Sequence, residues 1–278
     1  MTLAPRQLGR LYVLLGDPVK HSMSPALQNA AMRELGLDAV YVGLLAWEEL
    51  VESLMRSVSR LGGGGNVTVP YKRLAADCLD HPSETVNATG ACNVFWWEEG
   101  KGLCGDNTDV EAFQTAAKAL LGAGLADARV LLLGAGGAAR AVAYACAEAK
   151  VDRLDIANRT LPSAVSLADE FGRVISMQAL ELSDLESRTY DLVVNATSLG
   201  LAPDDPLPVD PRVLESGALL DLVYGRAETP LVRAAREAGV RAVDGCHMLV
   251  EQAAASFQRW FRLDPPRDVM YRAVGLDV

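Results

Sequence analysis

The sequence VLLLGAGGAARAVAYACAEA, residues 130–149, decides the fold of this chain. Its apolar start, Val130 to Leu133, predicts a buried strand, and the alanine-rich run after the glycines predicts a helix. Gly134 makes the tight turn between them, Gly136 lets the backbone approach a pyrophosphate, and Ala139 keeps helix and strand close. The N-terminus of that helix offers N–H groups and a positive dipole end to phosphates. The stretch therefore predicts a dinucleotide site.

The next strand indicates which dinucleotide the site takes. A site for NAD usually carries an acidic side chain about 20 residues after the glycines, where it binds the ribose hydroxyls. Here the predicted strand Leu154 to Ala157 ends in Asn158, Arg159 and Thr160. A guanidinium at that position suits a 2′-phosphate through charge-assisted hydrogen bonds, although an arginine at a strand end is commonly only solvated. We therefore expect NADP rather than NAD.

Composition is consistent with a soluble cytoplasmic enzyme. The chain has 278 residues, half of them hydrophobic, and this length suggests two domains. Its net charge of −10 argues against a nucleic-acid partner. No apolar run reaches membrane-spanning length and no signal-peptide pattern is present, so a cytoplasmic location is expected. The five cysteines and three histidines form no ligand motif, so we expect reduced thiols and no metal.

Alternating strand and helix patterns predict an α/β fold with mostly parallel sheets. The predicted strands are Leu11–Leu15, Ala39–Leu45, Asn66–Val69, a hairpin of Ala91–Trp97 and Gly102–Cys104, Val130–Leu133, Leu154–Ala157, Val174–Met177, Leu192–Val194, Ala218–Val223 and Arg241–Val243. Predicted helices begin at Ser24-Pro25, with Ser24 as the N-cap, and cover Trp47–Leu61, Asp109–Leu121, the segment after Gly137, Met248–Phe261 and Pro266–Val274.

About 120 residues precede the cofactor motif, and a cofactor domain does not need them. The placement of lysine among these residues points to chemistry there. Only five of the 26 basic residues are lysines, yet Lys72 directly follows the strand pattern of residues 66–71. Lysine can exchange a proton near neutral pH where arginine cannot. Asn66 and Thr68 alternate along that strand, and Asp109 opens a helix. Two plainer interpretations stay open: Lys72 as a solvated helix residue, and Asp109 as a simple N-cap.

The order of nine motifs resembles that of shikimate dehydrogenases over nearly the whole chain. These motifs are GDPVKHSMSPALQN (16–29), NVTVPYK (66–72), GACN (90–93), DNTD (106–109), GAGGAAR (134–140), NRT (158–160), NATSLG (195–200), DLVY (221–224) and GCHMLVEQ (245–252). The resemblance implies NADPH-dependent reduction of 3-dehydroshikimate to shikimate, a step toward aromatic amino acids. It also implies a substrate domain of residues 1–110 completed by 248–278, a Rossmann domain of residues 111–247, and a cleft between them.

The resemblance also assigns roles to individual residues. It implies that Lys72 and Asp109 are catalytic. The substrate-binding set would be Ser22, Ser24, Thr68, Asn93, Tyr224 and Gln252. The cofactor-binding set would be Gly134, Ala135, Gly136, Gly137, Ala138, Asn158, Arg159, Thr160, Thr197, Ser198 and Gly245. The N-cap role of Ser24 competes with its substrate role, although the two can coexist.

Three positions depart from the family pattern. His247 stands where the family usually has a small residue, and either narrows the nicotinamide pocket or faces solvent. Gly225-Arg226 replaces the common asparagine-proline pair. Ser163 stands where many relatives carry a second arginine for the 2′-phosphate, so the preference for NADP is expected to be milder.

Rival interpretations remain. One is a quinate/shikimate dehydrogenase that uses NAD, and another is a dehydrogenase of similar architecture, such as the methylenetetrahydrofolate enzymes. A third is a non-catalytic NADP-binding sensor. The oligomeric state stays open, with a homodimer as one alternative.

Overall fold

The computed structural model describes residues 9–172, 175–185, 188–202, 204–225 and 227–276. The described chain divides into two compact units. One is built from residues up to Thr108 and from Ala253 onward, and the other runs from Asp109 to Gln252. None of the helices within the described ranges is long and apolar enough to span a membrane.

The first unit holds a six-stranded mixed sheet with the strand order β2-β1-β3-β5-β6-β4. β1 pairs in parallel with β2 and β3, while β5 pairs antiparallel with β3 and β6. In chain order its elements are β1 (Arg10–Gly16), α1 (Ser24–Glu34), β2 (Ala39–Leu45), a 3₁₀ turn (Glu48–Leu50), α2 (Val51–Arg60), β3 (Gly64–Val67), α3 (Lys72–Asp77), β4 (His81–Pro82), α4 (Glu84–Thr89), β5 (Val94–Glu98) and β6 (Gly102–Asp106).

The second unit is a parallel six-stranded sheet with the order β12-β11-β10-β7-β8-β9. Numbered within the unit this is 3-2-1-4-5-6 in reverse direction, the arrangement of dinucleotide-binding Rossmann folds. Its elements are α5 (Asp109–Leu121), β7 (Arg129–Leu133), α6 (Gly137–Ala149), β8 (Arg153–Ala157), α7 (Leu161–Phe171), β9 (Ser176–Leu180), β10 (Thr189–Asn195), β11 (Glu215–Asp221), α8 (Pro230–Glu237), β12 (Arg241–Val243) and α9 (Cys246–Phe261), with 3₁₀ turns at Leu182–Leu185 and Pro211–Val213. The α/β prediction is confirmed.

Both faces of this second sheet are covered. Val130 and Leu132 of β7 lie in one apolar cluster, whereas Leu131 and Leu133 lie in another. Parallel strands buried on both faces read as continuous apolar runs, which is why this strand was recognisable in the sequence. The strand predicted at 174–177 begins later in the structure, where β9 covers Ser176–Leu180, and Val174 lies outside the described residues.

The end of α9 and the helix α10 (Arg267–Ala273) belong to the first unit. The Trp260 indole N–H donates to the Phe95 carbonyl at 3.2 Å, and its ring centroid lies 4.8 Å from that of Tyr12. Arg259 donates two hydrogen bonds to one oxygen of Asp106 at the end of β6. The first unit therefore depends on residues from both ends of the sequence.

The third strand begins earlier than predicted. The sequence predicted Asn66–Val69, with the glycine run as a helix breaker, but β3 covers Gly64–Val67. A Cβ on Gly65 would lie 2.4 Å from the Val13 carbonyl oxygen, and one on Gly64 would lie 2.7 Å from the Phe95 carbonyl oxygen. These glycines are strand residues because the neighbouring backbones leave no room for a side chain.

Two predicted helix starts were also wrong. Ser24 is the first residue of α1 rather than its N-cap, and the N-cap is Met23. The Ser24 N–H is instead accepted by the Ser22 hydroxyl at 3.2 Å. The predicted helix at 47–61 begins at Val51, because a 3₁₀ turn precedes it.

Candidate active site

Two serine hydroxyls meet at the start of α1. Ser22 Oγ lies 3.2 Å from Ser24 Oγ and also accepts the Ser24 backbone N–H. Ser24 is buried and Ser22 is partly exposed. Two hydroxyl groups beside the N-terminal N–H groups of a helix can bind a carboxylate, because the groups can donate and the dipole favours negative charge.

Thr68 and Lys72 follow β3. The Thr68 N–H donates to Leu15 at the end of β1, and a Cβ on Gly16 would lie 2.3 Å from the Thr68 methyl group. Lys72 opens α3, and its carbonyl oxygen accepts the Cys92 N–H at 2.8 Å. This bond holds the lysine backbone next to the segment that carries Asn93. Both side chains are partly buried, and both follow the carboxyl end of β3, where the polar side chains of α/β sites collect.

Asn93 is buried in a polar network. Its Oδ1 accepts the Thr108 N–H at 2.8 Å, and its Nδ2 donates to Thr108 Oγ1 at 3.0 Å. Asn66 Nδ2 donates to the Asn93 carbonyl and to Ser256 Oγ, both at 2.9 Å, and the Tyr41 hydroxyl donates to Asn66 Oδ1. Asn66, a residue of β3, therefore holds the backbone of Asn93 in place. The first unit thus contains the serine pair, Thr68, Lys72 and Asn93.

Three other predicted site residues belong to the second unit. Asp109 is the buried first residue of α5. Tyr224 is partly buried in the loop after β11, and Gln252 lies on α9, where its Nε2 donates to the Leu249 carbonyl at 2.8 Å. Asp109 is the first residue inside the helix rather than the residue before it, so it does not occupy the N-cap position of the plainer interpretation.

The glycine turn after β7 has the geometry that the sequence predicted. Gly134 has φ +107°, and a Cβ there would lie 3.0 Å from the Ala196 carbonyl group. Gly136 precedes α6 as its N-cap, and a Cβ there would meet nothing within 4 Å. The open space above Gly136 lies at the N-terminus of α6, formed by Gly137 and Ala138, with Ala135 beside it in the turn. A pyrophosphate group fits such a space.

The residues after β8 are exposed. Arg159 and Thr160 are solvent-exposed, while Asn158 is partly buried and donates from Nδ2 to the Thr160 carbonyl at 3.1 Å. Ser163, one turn into α7, is also exposed, and its N–H donates to the same Thr160 carbonyl. The Arg159 guanidinium is therefore accessible to a phosphate.

A buried carboxylate links the loops after β10 and β11. Asp221 accepts hydrogen bonds from Asn195 Nδ2 at 2.8 Å, from Thr229 Oγ1 at 2.6 Å and from the Val223 N–H. Burial raises the pKa of Asp221, and the three hydrogen bonds act against that rise. Asn195 Oδ1 in turn accepts from the N–H and hydroxyl of Thr197. The network holds Thr197 beside the glycine turn, where its methyl group would lie 3.2 Å from a Cβ on Gly134, and the next residue, Ser198, is exposed.

Gly245 and His247 lie at the start of α9. A Cβ on Gly245 would lie 2.4 Å from the Leu222 carbonyl oxygen, so close packing requires this glycine. The His247 side chain is exposed. Of the Gly225-Arg226 pair, Gly225 is exposed and Arg226 lies outside the described residues. Over the ranges described, no group of three or more His, Cys, Asp or Glu residues is placed to hold a metal ion.

Comparison with known proteins identifies the family. Three family profiles match: the shikimate dehydrogenase substrate binding domain (residues 14–95), shikimate/quinate 5-dehydrogenase (115–201) and the shikimate 5′-dehydrogenase C-terminal domain (245–274). The NADP⁺ shikimate dehydrogenase of Bacillus subtilis is 36% identical over 92% of this chain and 93% of its own length. This chain belongs to the shikimate dehydrogenase family.

Other relatives agree with this assignment. The NADP⁺ shikimate dehydrogenase of Methanothrix thermoacetophila is 39% identical over 95% of this chain and 96% of its own. A crystal structure of the Thermus thermophilus shikimate 5-dehydrogenase with NADP(H) and shikimate aligns with a TM-score of 0.84. That enzyme is 37% identical, with 95% of this chain and 98% of the other covered.

Sequence reasoning missed two members of the polar network, Tyr41 and Ser256. Both are buried, and both bond Asn66 from elements distant in sequence. A hydroxyl on an otherwise apolar helical face is the only local signal for Ser256. The role of Asp221 was also missed, although it opens the quoted motif DLVY directly after an apolar strand.

Proposed function

We propose that this chain catalyses the reversible, NADP-dependent reduction of 3-dehydroshikimate to shikimate, a step in aromatic amino acid biosynthesis. The observation that carries the proposal is the gathering of the serine pair, Thr68, Lys72 and Asn93 in a unit that also contains the family's substrate-binding profile.

Different polar residues bind different groups of the substrate. Ser22 and Ser24 bind the carboxylate, and the 3.2 Å distance between their hydroxyl oxygens at the start of α1 supports this role. Thr68 and Asn93 hydrogen-bond ring hydroxyls, and Tyr224 and Gln252 complete the substrate set. We assign residues 1–110 and 248–278 to the substrate domain, and residues 111–247 to the NADP domain.

Lys72 moves the proton. During reduction its Nζ–H bond breaks and a new O–H bond forms on the substrate oxygen, and oxidation reverses this transfer. Arginine could not perform this step at neutral pH, because its pKa is too high. Asp109 orients the lysine or anchors a substrate hydroxyl next to it.

The second unit holds NADP, which supplies or accepts the hydride when bound. Gly134, Ala135, Gly136, Gly137 and Ala138 bind the pyrophosphate at the N-terminus of α6, and the open space above Gly136 supports this role. Asn158, Arg159 and Thr160 bind the adenosine ribose and its 2′-phosphate. Thr197, Ser198 and Gly245 line the nicotinamide end.

We further propose that the enzyme acts in the cytoplasm as a homodimer. The five cysteines are free and buried, which suits a reducing compartment. Leu45, Trp47 and Leu50 are exposed within six residues of one another, and such apolar side chains suit a partner surface. Light scattering on the purified protein tests the dimer.

One assay separates the rival functions. The purified protein is mixed with shikimate or quinate and with NADP⁺ or NAD⁺, and absorbance of the reduced cofactor is followed. We expect rapid reduction of the cofactor only in the mixture that contains shikimate and NADP⁺. Activity with quinate or NAD⁺ would move the chain to the quinate/shikimate group, and no reaction in any mixture would favour a cofactor-binding sensor.

A further inference from the structure

We propose that Ser256 is a positioning residue, whose hydroxyl holds Asn93 in place through Asn66, which is bonded to the Asn93 backbone, and through Thr108, which is bonded to the Asn93 side-chain amide. The inference rests on the proposed function, in which Asn93 binds a substrate hydroxyl. Ser256 lies in the part of α9 that belongs to the first unit, and it is fully buried. A buried hydroxyl that joins two other side chains is a costly feature unless its hydrogen bonds are needed.

The first link is between Ser256 and Asn66. The Asn93 carbonyl can only accept, so the Asn66 atom bonded to it is Nδ2, and the Tyr41 hydroxyl donates to the other atom, Oδ1, at 2.9 Å. Asn66 Nδ2 then faces two acceptors, the Asn93 carbonyl and Ser256 Oγ, each at 2.9 Å. The two hydrogens of that nitrogen therefore connect α9 with the backbone of Asn93.

The second link runs through Thr108. Ser256 Oγ lies 3.4 Å from Thr108 Oγ1. The oxygen and the nitrogen of the Asn93 amide are both hydrogen-bonded to Thr108. A backbone N–H can only donate, so the 2.8 Å bond from Thr108 identifies the oxygen of the Asn93 amide. The other atom is the nitrogen, so this amide offers a donor to a substrate hydroxyl.

Loss of the Ser256 hydroxyl changes the partners of this network. Asn66 Nδ2 would lose one of its two acceptors while remaining buried. The Thr108 hydroxyl would lose its contact with Ser256, and its hydrogen could then turn toward Asn93 Oδ1, 3.2 Å away, instead of leaving the oxygen to accept from Asn93 Nδ2. The Asn93 amide would keep the bond from the Thr108 N–H to its Oδ1, but its Nδ2 would lose a fixed acceptor, and a substrate hydroxyl would meet a less ordered donor.

The test measures Ser256→Ala beside Ser59→Ala. Ser59 is a matched control, because it is also a buried helical serine of the first unit, but its hydroxyl donates to Met55 in its own helix. We expect Ser256→Ala to raise the KM for shikimate about 10-fold, while the KM for NADP⁺ changes less than about 2-fold. Ser59→Ala should leave both values within about 2-fold of the wild type.

A double-mutant cycle with Asn93→Ala separates positioning from general damage. If Ser256 acts through Asn93, Ser256→Ala should change the shikimate KM less than about 2-fold once Asn93 is already alanine. Additive effects of the two changes would overturn the proposal. Equal KM values for Ser256→Ala and the wild type would also overturn it, as would an equal rise in the KM for NADP⁺.

A second variant covers the case in which Ser256→Ala does not fold. Tyr41→Phe removes the hydroxyl that orients Asn66 from the other side, and it should raise the shikimate KM in the same selective way. An unchanged shikimate KM in this variant would overturn the proposal. A wild-type protein without shikimate activity would overturn the proposed function itself, and this inference with it.

Discussion

The side-chain amide of Asn29 hydrogen-bonds both backbone groups of Tyr41. Its Nδ2 donates to the Tyr41 carbonyl at 2.7 Å, and its Oδ1 accepts the Tyr41 N–H at 2.9 Å. β2 is the edge strand of its sheet, with β1 on its other side. The amide therefore takes the place of a neighbouring strand at Tyr41, and it fastens α1 to the sheet. Edge strands need such protection, because unpaired backbone groups invite association with other chains.

Removal of this amide should weaken the first unit. Asn29→Ala leaves the Tyr41 N–H and carbonyl without their partner, so we expect a loss of roughly 1–3 kcal/mol in the free energy of unfolding. Urea denaturation gives this value. The exposed Asn87→Ala should cost less than about 0.5 kcal/mol. Equal losses in the two variants would contradict the interpretation.

Replacement of Lys72 should slow the chemical step. Lys72→Met removes the proton donor while it keeps most of the side-chain volume. We expect kcat to fall about 100- to 10,000-fold, with little change in the KM for shikimate. Steady-state kinetics measure both constants. Lys118→Met, at an exposed position of α5, is the matched control and should behave as the wild type. A normal kcat in Lys72→Met would refute the assigned role.

Gly136→Ala should weaken cofactor binding without harm to the fold. The added Cβ meets no protein atom within 4 Å, but it enters the space where the pyrophosphate approaches. We expect an unfolding temperature close to that of the wild type, because the lower entropy of the unfolded chain offsets the poorer N-cap, and a Kd for NADP⁺ at least about 10-fold higher. Gly124→Ala also meets nothing within 4 Å, and it should leave the Kd unchanged. Titration calorimetry distinguishes the two variants.

Arg159 and Ser163 should control the choice of cofactor. Arg159→Ala should raise the KM for NADP⁺ about 10- to 100-fold and leave that for NAD⁺ nearly unchanged, because only NADP⁺ carries the 2′-phosphate. Ser163→Arg should lower the KM for NADP⁺, since its backbone is bonded to Thr160 next to Arg159. Ser166→Arg, also exposed on α7, is the control. Equal effects on both cofactors would contradict this assignment.

The ion pair of Asp80 and Arg56 should make stability depend on pH in the acid range. Hydrogen bonds from the Arg56 guanidinium, followed by the Leu103 N–H, lower the pKa of Asp80 to about 2. A carboxyl whose pKa is lowered on folding stabilises the protein above its unfolded value of about 4, and this contribution is lost as the pH falls toward 2. Asp80→Asn should therefore lower the urea midpoint at pH 6 and have little effect near pH 2. A difference that stays constant with pH would contradict this.

The elements that sequence predicted best are those with a strong pattern of their own. β2, α5 and β12 have the predicted bounds, because apolar alternation or periodicity defines them locally. The two-residue β4 was not predicted, because only its pairing with β6 makes it a strand. The start of β3 was misplaced because glycine usually breaks a strand, and only the packing of Gly64 shows why it belongs to one.

The candidate site shows the same limit. Motifs suggested the serine pair, Lys72 and the glycine turn, because their chemistry is carried by neighbouring residues. The partners of Asn66 could not be suggested in this way, since Ser256 lies 190 positions away in the sequence. Side chains that hold others in place are defined by contacts that form only after folding.

The dependence of the first unit on α9 reverses the usual order of folding during synthesis. Domains generally fold as they leave the ribosome, with the N-terminal one first. Here the packing of the first unit cannot be completed until Trp260 has been made, because Phe95 and Tyr12 contact it. The second unit is the uninterrupted segment from Asp109 to Gln252, so it can fold before the packing of the first unit is complete. The part of the chain that is made first is therefore the part whose packing is completed last.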